Sequence, residues 1–397
     1  MTRASLVALT AVAAAVAACD AKVPLPAIGG DTFAVITSRD GQNVAGALNA
    51  VDVKTKQMTL AIDTTIDADH AVRVEGGVIY VLNKIKNNLR TYDAKSWKVL
   101  TEVKLEDKDH PADVAFAQDA LPIKGTTKVM VTLAGNDGAH AVGVVDLARP
   151  ADGIVQWIAI PSAEADTDGK PEPSSLYECN GLYYTGTGDY DSVSTFAPTG
   201  PGRVAVIDPT KPEAIATIAL RHENVTQIVP ASSDCTKVLA IASGPFGEMP
   251  GARSGVQRVD LATRTAGPTL FDGAALAGVP SNTIIVSETL GFMVVNFDLQ
   301  TTPQGYDILA KSRVVAFDPM TGTILGDASD KAGFIPFVGV TRDGQLWFGT
   351  DNIDSVDNTG NLPTAVWVGP ADGMKHPYQR LDLGQKPYFL AFPPAGE

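Results

Sequence analysis

The side chains with chemistry to offer are few and scattered. Glu164-Ala-Asp166-Thr-Asp168-Gly169 sets carboxylates on alternate residues ahead of a glycine, as calcium loops begin. The bidentate acid that such a loop needs at its twelfth position is absent, and Ser175 stands there. Asp351, Asp354 and Asp357 have the right type at the wrong spacing. A plain acidic loop outweighs calcium at both places, so no cofactor is expected. Nucleophile-elbow, HExxH and phosphate-loop patterns are missing, and Gly186-Thr-Gly188 lacks the third glycine of a dinucleotide loop. The only cysteines are Cys19, Cys179 and Cys235, too few for a four-cysteine zinc site and wrongly spaced for CxxC chemistry.

The elements that must position these groups begin after a processing segment. Leu6–Ala18 is a run of thirteen small, apolar residues behind one positive charge at Arg3. As a helix it would span about 20 Å at ~1.5 Å per residue, short of a ~30 Å hydrocarbon core. That is signal-peptide anatomy. The run ends at Val16-Ala17-Ala18-Cys19, which resembles the lipobox of bacterial lipoproteins. The resemblance implies that residues 1–18 are removed, that Cys19 carries lipid, and that residues 19–31 form a tether. The chain would then sit in the bacterial cell envelope, on the periplasmic or outer surface, held to a membrane by lipid alone. An exported chain meets an oxidising compartment, so Cys179 and Cys235 are candidates for a disulfide.

A formal net charge of −14 argues against nucleic acid, which requires clustered Lys and Arg. Fold follows from repetition instead. An alternating apolar strand ending in Asp, then a turn, then a second strand recurs at Asp52, Asp93, Asp146, Asp208, Asp260 and Asp318, at intervals of 41 to 62 residues. A seventh copy, Ala365-Val-Trp-Val368, carries Gly369 in place of the acid. Asp at the head of a tight turn accepts a backbone N–H two residues on, so each phrase reads as a β-hairpin. A second hairpin lies between phrases, as at Val114-Ala-Phe-Ala117 with Lys128–Leu133. Four strands per period, seven periods and almost no helical periodicity predict an all-β, seven-bladed β-propeller over residues 32–397. Phe33–Ile36 lacks a strand before it and Lys386–Phe392 lacks one after it. Pairing them would close the ring.

Ile79-Tyr-Val-Leu-Asn83, Leu89–Asp93 and Lys98–Leu105 resemble the YVTN-type repeat of bacterial β-propellers, with Leu82 in place of the Thr. That resemblance implies the fold and leaves function open, since the family consists mostly of binding or uncharacterised proteins.

On this frame the long insertions of blades four to seven emerge on one face, bringing Tyr190, Phe196, Phe246 and Tyr306 beside acidic residues. Aromatics on long loops suggest a recognition surface. The innermost strands would line a channel, with Asp113, Ser175, Asn282, Val338 and Phe389 at one level, Gln227 and Arg73 near it, and His110 and Glu172 just above. The other histidines, His70, His140, His222 and His376, read as surface or turn residues. The favoured function is a non-catalytic, membrane-tethered propeller that binds an envelope protein or glycan through its loop-rich face. The alternative is a metal-dependent hydrolase or lactonase at the channel mouth, using the polar channel cluster His110, Asp113, Glu172, Gln227 and Asn282.

Overall fold

In the computed structural model, six of the repeated aspartates do the work that the turns require. The Asp52 Oδ1 accepts the N–H groups of Lys54 at 3.0 Å and Thr55 at 2.7 Å, and the Asp318 Oδ1 those of Met320 at 2.7 Å and Thr321 at 3.1 Å. Asp93, Asp146, Asp208 and Asp260 repeat the bond. These donors hold all six carboxyls below the usual range. In the seventh copy a Cβ on Gly369 would lie 2.4 Å from the Tyr378 ring. The strand therefore runs on to Pro370, and Asp372 forms the turn by accepting the Met374 N–H at 3.0 Å.

The structure describes residues 32–40, 44–106, 116–134, 140–166, 168–191, 197–245, 251–301, 308–330, 332–351 and 362–393. These form seven four-stranded antiparallel sheets. Helix among them is confined to Pro150–Asp152 and Gly273–Leu276, and none is long and apolar enough to cross a membrane. The chain is thus a seven-bladed β-propeller.

Blade one draws on both ends of the chain. Its inner strand is Lys386–Ala391 and its next strand is Phe33–Arg39, with Val35 opposite Ala391 and Ile36 opposite Leu390. At the mouth end of the join, Lys386 Nζ lies 3.7 Å from the Asp351 carboxylate, both side chains nearly sealed from solvent. The other inner strands are His70–Glu75, Ala117–Pro122, Pro173–Cys179, Val225–Pro230, Val279–Ser287 and Val338–Val340, in blades two to seven. Between blades the apolar faces fuse, as where Tyr80, Leu82 and Leu89 of blade two meet Val131 and Leu133 of blade three.

Two expectations need correction. The inner strand of blade three is Ala117–Pro122, so the stretch expected to be a loop after Ala117 is strand; Val114 and Ala115 lie outside the described residues. His70 and His222 are not surface residues; both are fully buried. The His70 Nδ1 lies 2.6 Å from the Asp67 carbonyl, with Tyr388 edge-on to the ring. Burial lowers the His70 pKa to about 4.

Candidate ligand-binding site at the channel mouth

Halfway down the channel, polar side chains tie each inner strand to the next. The Arg73 Nε donates to Asp119 Oδ1 at 3.0 Å, and the same guanidinium reaches the Leu176 carbonyl at 2.9 Å. Asp119 Oδ2 accepts the Leu176 N–H at 2.7 Å. Ser175 Oγ accepts the Ile228 N–H at 2.8 Å. Gln227 makes two bonds to Thr283, accepting its N–H at 2.8 Å and donating to its carbonyl at 3.2 Å. Asn282 donates to the Pro336 carbonyl at 2.6 Å. Strands whose polar edges face a wet core must satisfy them locally, and this belt does so from blade two to blade seven.

Gln227 and Asn282 both line the channel, each hydrogen-bonded to the next blade. Asp119 fills the acidic place at that level. Asp113 and His110 lie outside the described residues, as do Cys19, Phe196, Phe246 and Tyr306. Among the described residues no group of three or more His, Cys, Asp or Glu side chains could hold a metal ion.

Above the belt the chain must cross from an outer strand and drop into the channel. Phe116, Glu172 and Asn224 make that corner, each directly before an inner strand and each with positive φ, 44°, 40° and 56°. A left-handed residue other than glycine costs roughly 1–2 kcal/mol, so three in adjacent blades mark a rim held under strain. All three line the channel, with Gln118, Ser174, Tyr190 and Ser243. The open channel they line has a volume of about 760 Å³.

Glu172 is the centre of this mouth. It is 3% exposed, and its Oε2 accepts the Tyr190 N–H at 3.0 Å. Burial, reinforced by Asp168, Asp166 and Asp189, pushes its pKa up to about 9, so the carboxyl keeps its proton at neutral pH. Asp189 is fully buried and paired with Arg203, whose Nε donates to it at 2.9 Å. That guanidinium is taken, and Asp166 rises to about 6 through burial and the neighbouring Asp168. Glu164 is exposed. The incomplete calcium loop thus contributes two acids, Asp166 and Asp168, to the surroundings of Glu172.

Tyr190 is not the exposed loop anchor expected of it. Its ring packs over Gly188, where a Cβ would come within 2.6 Å, and it lines the mouth. Burial and the nearby Glu172 raise its phenol pKa. Gly188, two residues before Tyr190, is the one local sequence feature that allows this packing. Phe116, Asn224 and Asp119 carried none, since only the ring brings them together.

Cys179 and Cys235 are joined as a disulfide, with Cα atoms 5.8 Å apart. It links the inner-strand turns of blades four and five on the face opposite the mouth.

No protein-family model and no curated protein matches this sequence. Several solved structures share its shape. A periplasmic gluconolactonase from Pseudomonas aeruginosa superposes with a TM-score of 0.56 at 12% identity, over 91% of this chain and 98% of that one. The dihydro-heme d1 dehydrogenase NirN gives 0.55 at 12% identity, over 91% of this chain and 66% of that one. This chain therefore spans just under two thirds of NirN. The β-propeller domain of Cps50 (Swd1) from Myceliophteria thermophila gives 0.54 at 10% identity, over 81% and 93%. At such identities the likeness is one of fold, and it agrees with the seven blades described above.

Proposed function

We propose that this chain is an exported, lipid-anchored protein of the bacterial envelope that binds a glycan, without catalysis, at the channel mouth on its loop-rich face. The observation that carries the reading is the make-up of that mouth. A neutral carboxyl, a phenol, two amides and two hydroxyls line a strained rim, with Ser174 also donating to the Val225 carbonyl at 2.7 Å and Asn224 to Ser243 at 3.0 Å. Neutral donors and acceptors beside aromatic faces suit a hydroxyl-rich ligand, whereas an anion would be repelled by Asp166 and Asp168.

Titration calorimetry of the full chain against oligosaccharides released from a bacterial envelope tests this. Tyr190→Ala is expected to weaken binding ten-fold or more, and Glu172→Gln, which keeps a neutral donor, to leave most of it. If Tyr190→Ala changes nothing while Phe196, Phe246 and Tyr306 variants abolish capture of an envelope protein, the partner is a protein held by the outer loops. Lipid on Cys19 is checked separately, by the mass of the native chain against Cys19→Ala.

The second reading is a metal-dependent hydrolase or lactonase at the same mouth. Glu172 favours it, because a carboxyl that keeps its proton at pH 7 can protonate a leaving oxygen. The gluconolactonase neighbour adds a likeness of fold alone. Lactone turnover lost both on chelation and in Glu172→Gln would decide for this reading.

A further inference from the structure

The mouth is not the same all round the ring. Its blade-four side carries Glu172 with Asp166 and Asp168. Across the ring, at the mouth ends of blades one and two, stand Arg39, which closes the strand Phe33–Arg39, and Lys84, in the turn after Val78–Asn83. This corner adjoins the channel. Lys84 Nζ lies over the Phe116 ring at 5.1 Å, and Tyr388 packs edge-on to Phe389, both rings that line the channel.

The cation at this corner is held in an uncommon way. Arg73 has Asp119, Arg203 has Asp189 and Arg253 has Glu223, but Arg39 has no acid partner among the described residues. Its guanidinium lies flat over Tyr388, 4.3 Å from the ring centre. The ring is pinned in turn: its hydroxyl donates to Asp69 Oδ1 at 2.9 Å, and Asp69 pairs with Lys84 at 3.1 Å. A planar cation resting on a fixed ring has little freedom left to lose on binding a planar acid.

Two nitrogens against that ring go unused by the protein. Arg39 Nε is buried without a hydrogen-bond partner, and so is Nε2 of His70, which packs edge-on to Tyr388. The His70 Nδ1 faces the Asp67 carbonyl and donates to it, which leaves Nε2 an acceptor. In the other fully buried histidine, His222, Nε2 has Thr269 Oγ1 at 3.3 Å. The corner therefore offers one donor and one acceptor, the complement of a carboxylate beside a hydroxyl. Arg39 and Tyr388 are only half-buried, so this corner is not sealed from the mouth face.

The neighbouring carboxylates have partners of their own. Asp67 is matched by Lys86 at 3.3 Å, Asp69 by Lys84, and Asp351 by Lys386 at 3.7 Å. Asp40 turns into its own loop, where Oδ1 accepts the Val44 N–H at 2.7 Å. One guanidinium without a partner suits a single negative charge, whereas a doubly charged phosphate ester would meet Asp69 and Asp40 as well.

We infer that Arg39, carried on Tyr388, takes the carboxylate of an acidic sugar, which points the acid end of the glycan to blades one and two and its hydroxyls to Glu172 and Tyr190. The inference rests on the glycan reading of the mouth and narrows it to sugars that carry a carboxylate. Repulsion by Asp166 and Asp168 then orients the ligand instead of excluding it.

The test divides the envelope oligosaccharides by anion exchange into neutral and acidic fractions, with part of the acidic fraction carboxyl-reduced. In calorimetry the full chain is expected to bind the acidic fraction ten-fold or more tighter than its reduced form, as loss of one charge-assisted pair requires. Arg39→Met should bind both forms as the parent binds the reduced one, which also reports that the variant is folded. Arg39→Lys should keep part of the preference, and Tyr190→Ala should weaken both forms alike. Equal binding of the two forms by the parent, or an unchanged preference in Arg39→Met, would overturn the inference and leave the glycan reading standing. Acidic-fraction binding that survives carboxyl reduction yet fails in Arg39→Met would overturn the carboxylate in favour of phosphate or sulfate. No binding of any fraction would remove the glycan reading together with this one.

Discussion

Arg73 and Asp119 form a fork across two blades, guanidinium nitrogens to carboxylate oxygens at 3.0 and 2.5 Å, and together they hold a third strand by the carbonyl and N–H of Leu176. One pair therefore sets the spacing of blades two, three and four. Asp119→Ala should destabilise the fold by roughly 2–4 kcal/mol, because it strands a guanidinium and an N–H in the channel wall. In denaturant unfolding, Arg73→Ala combined with Asp119→Ala should cost less than the sum of the two single changes. Additivity would mean the fork carries no coupling.

Glu172 makes stability fall as pH rises. Its folded pKa of about 9 lies above the ordinary 4.5, so the folded state holds a proton that the unfolded state releases. The resulting penalty is absent below the unfolded value, grows above it, and reaches roughly 3 kcal/mol at pH 7. Glu172→Gln should match the parent near pH 4 and exceed it progressively up to pH 9. Thermal melts across that range, with parallel curves for the two proteins, would remove the buried proton from the account.

The Cys179–Cys235 bridge closes a loop with a sequence separation of 56. Chain-entropy arguments assign about 4 kcal/mol to a loop of that size. Alkylation of non-reduced protein should leave both thiols unmodified, and the double Ser variant should melt well below the parent. Two reactive thiols in native protein would contradict the structure.

Deleting Lys386–Glu397 should do far more harm than the length removed suggests. It takes away the inner strand of blade one and bares the polar edge of Phe33–Arg39, an invitation to aggregate. It also leaves Asp351 without Lys386. A truncated chain that remains monomeric and melts like the parent would show that the ring does not depend on this closure.

The blades were legible in the sequence because each is a local phrase. Asp52, Asp93 and their equivalents mark turns whose chemistry is complete within four residues, and Phe33 and Lys386 each lacked a partner strand. The site was less legible because nothing local defines it. Asn282 could be placed at the channel by alignment on the proline at its blade entry, and Gln227, whose blade lacks that proline, only by equivalence with its neighbours; their commitment to Thr283 and Pro336 depends on the adjoining blade. Asp119 sits in Ala117-Gln-Asp-Ala-Leu-Pro122, which reads as weaker strand than the more apolar stretch before it. Glu172 was noticed for its position beside Pro173. Its retained proton comes from burial and from three acids that folding assembles.

The closure of blade one has a consequence in time. Phe389 donates its N–H to Thr37 across a separation of 352 residues at 3.2 Å, and Val35 pairs with Ala391. A chain made from its N-terminus therefore emerges with its first blade lacking its inner strand. Phe33–Arg39 must wait beside its hairpin partner until the last strand is synthesised, and contacts so distant form late. Until then no complete ring exists. The join that gives the finished molecule its rigidity also keeps the unfinished one open.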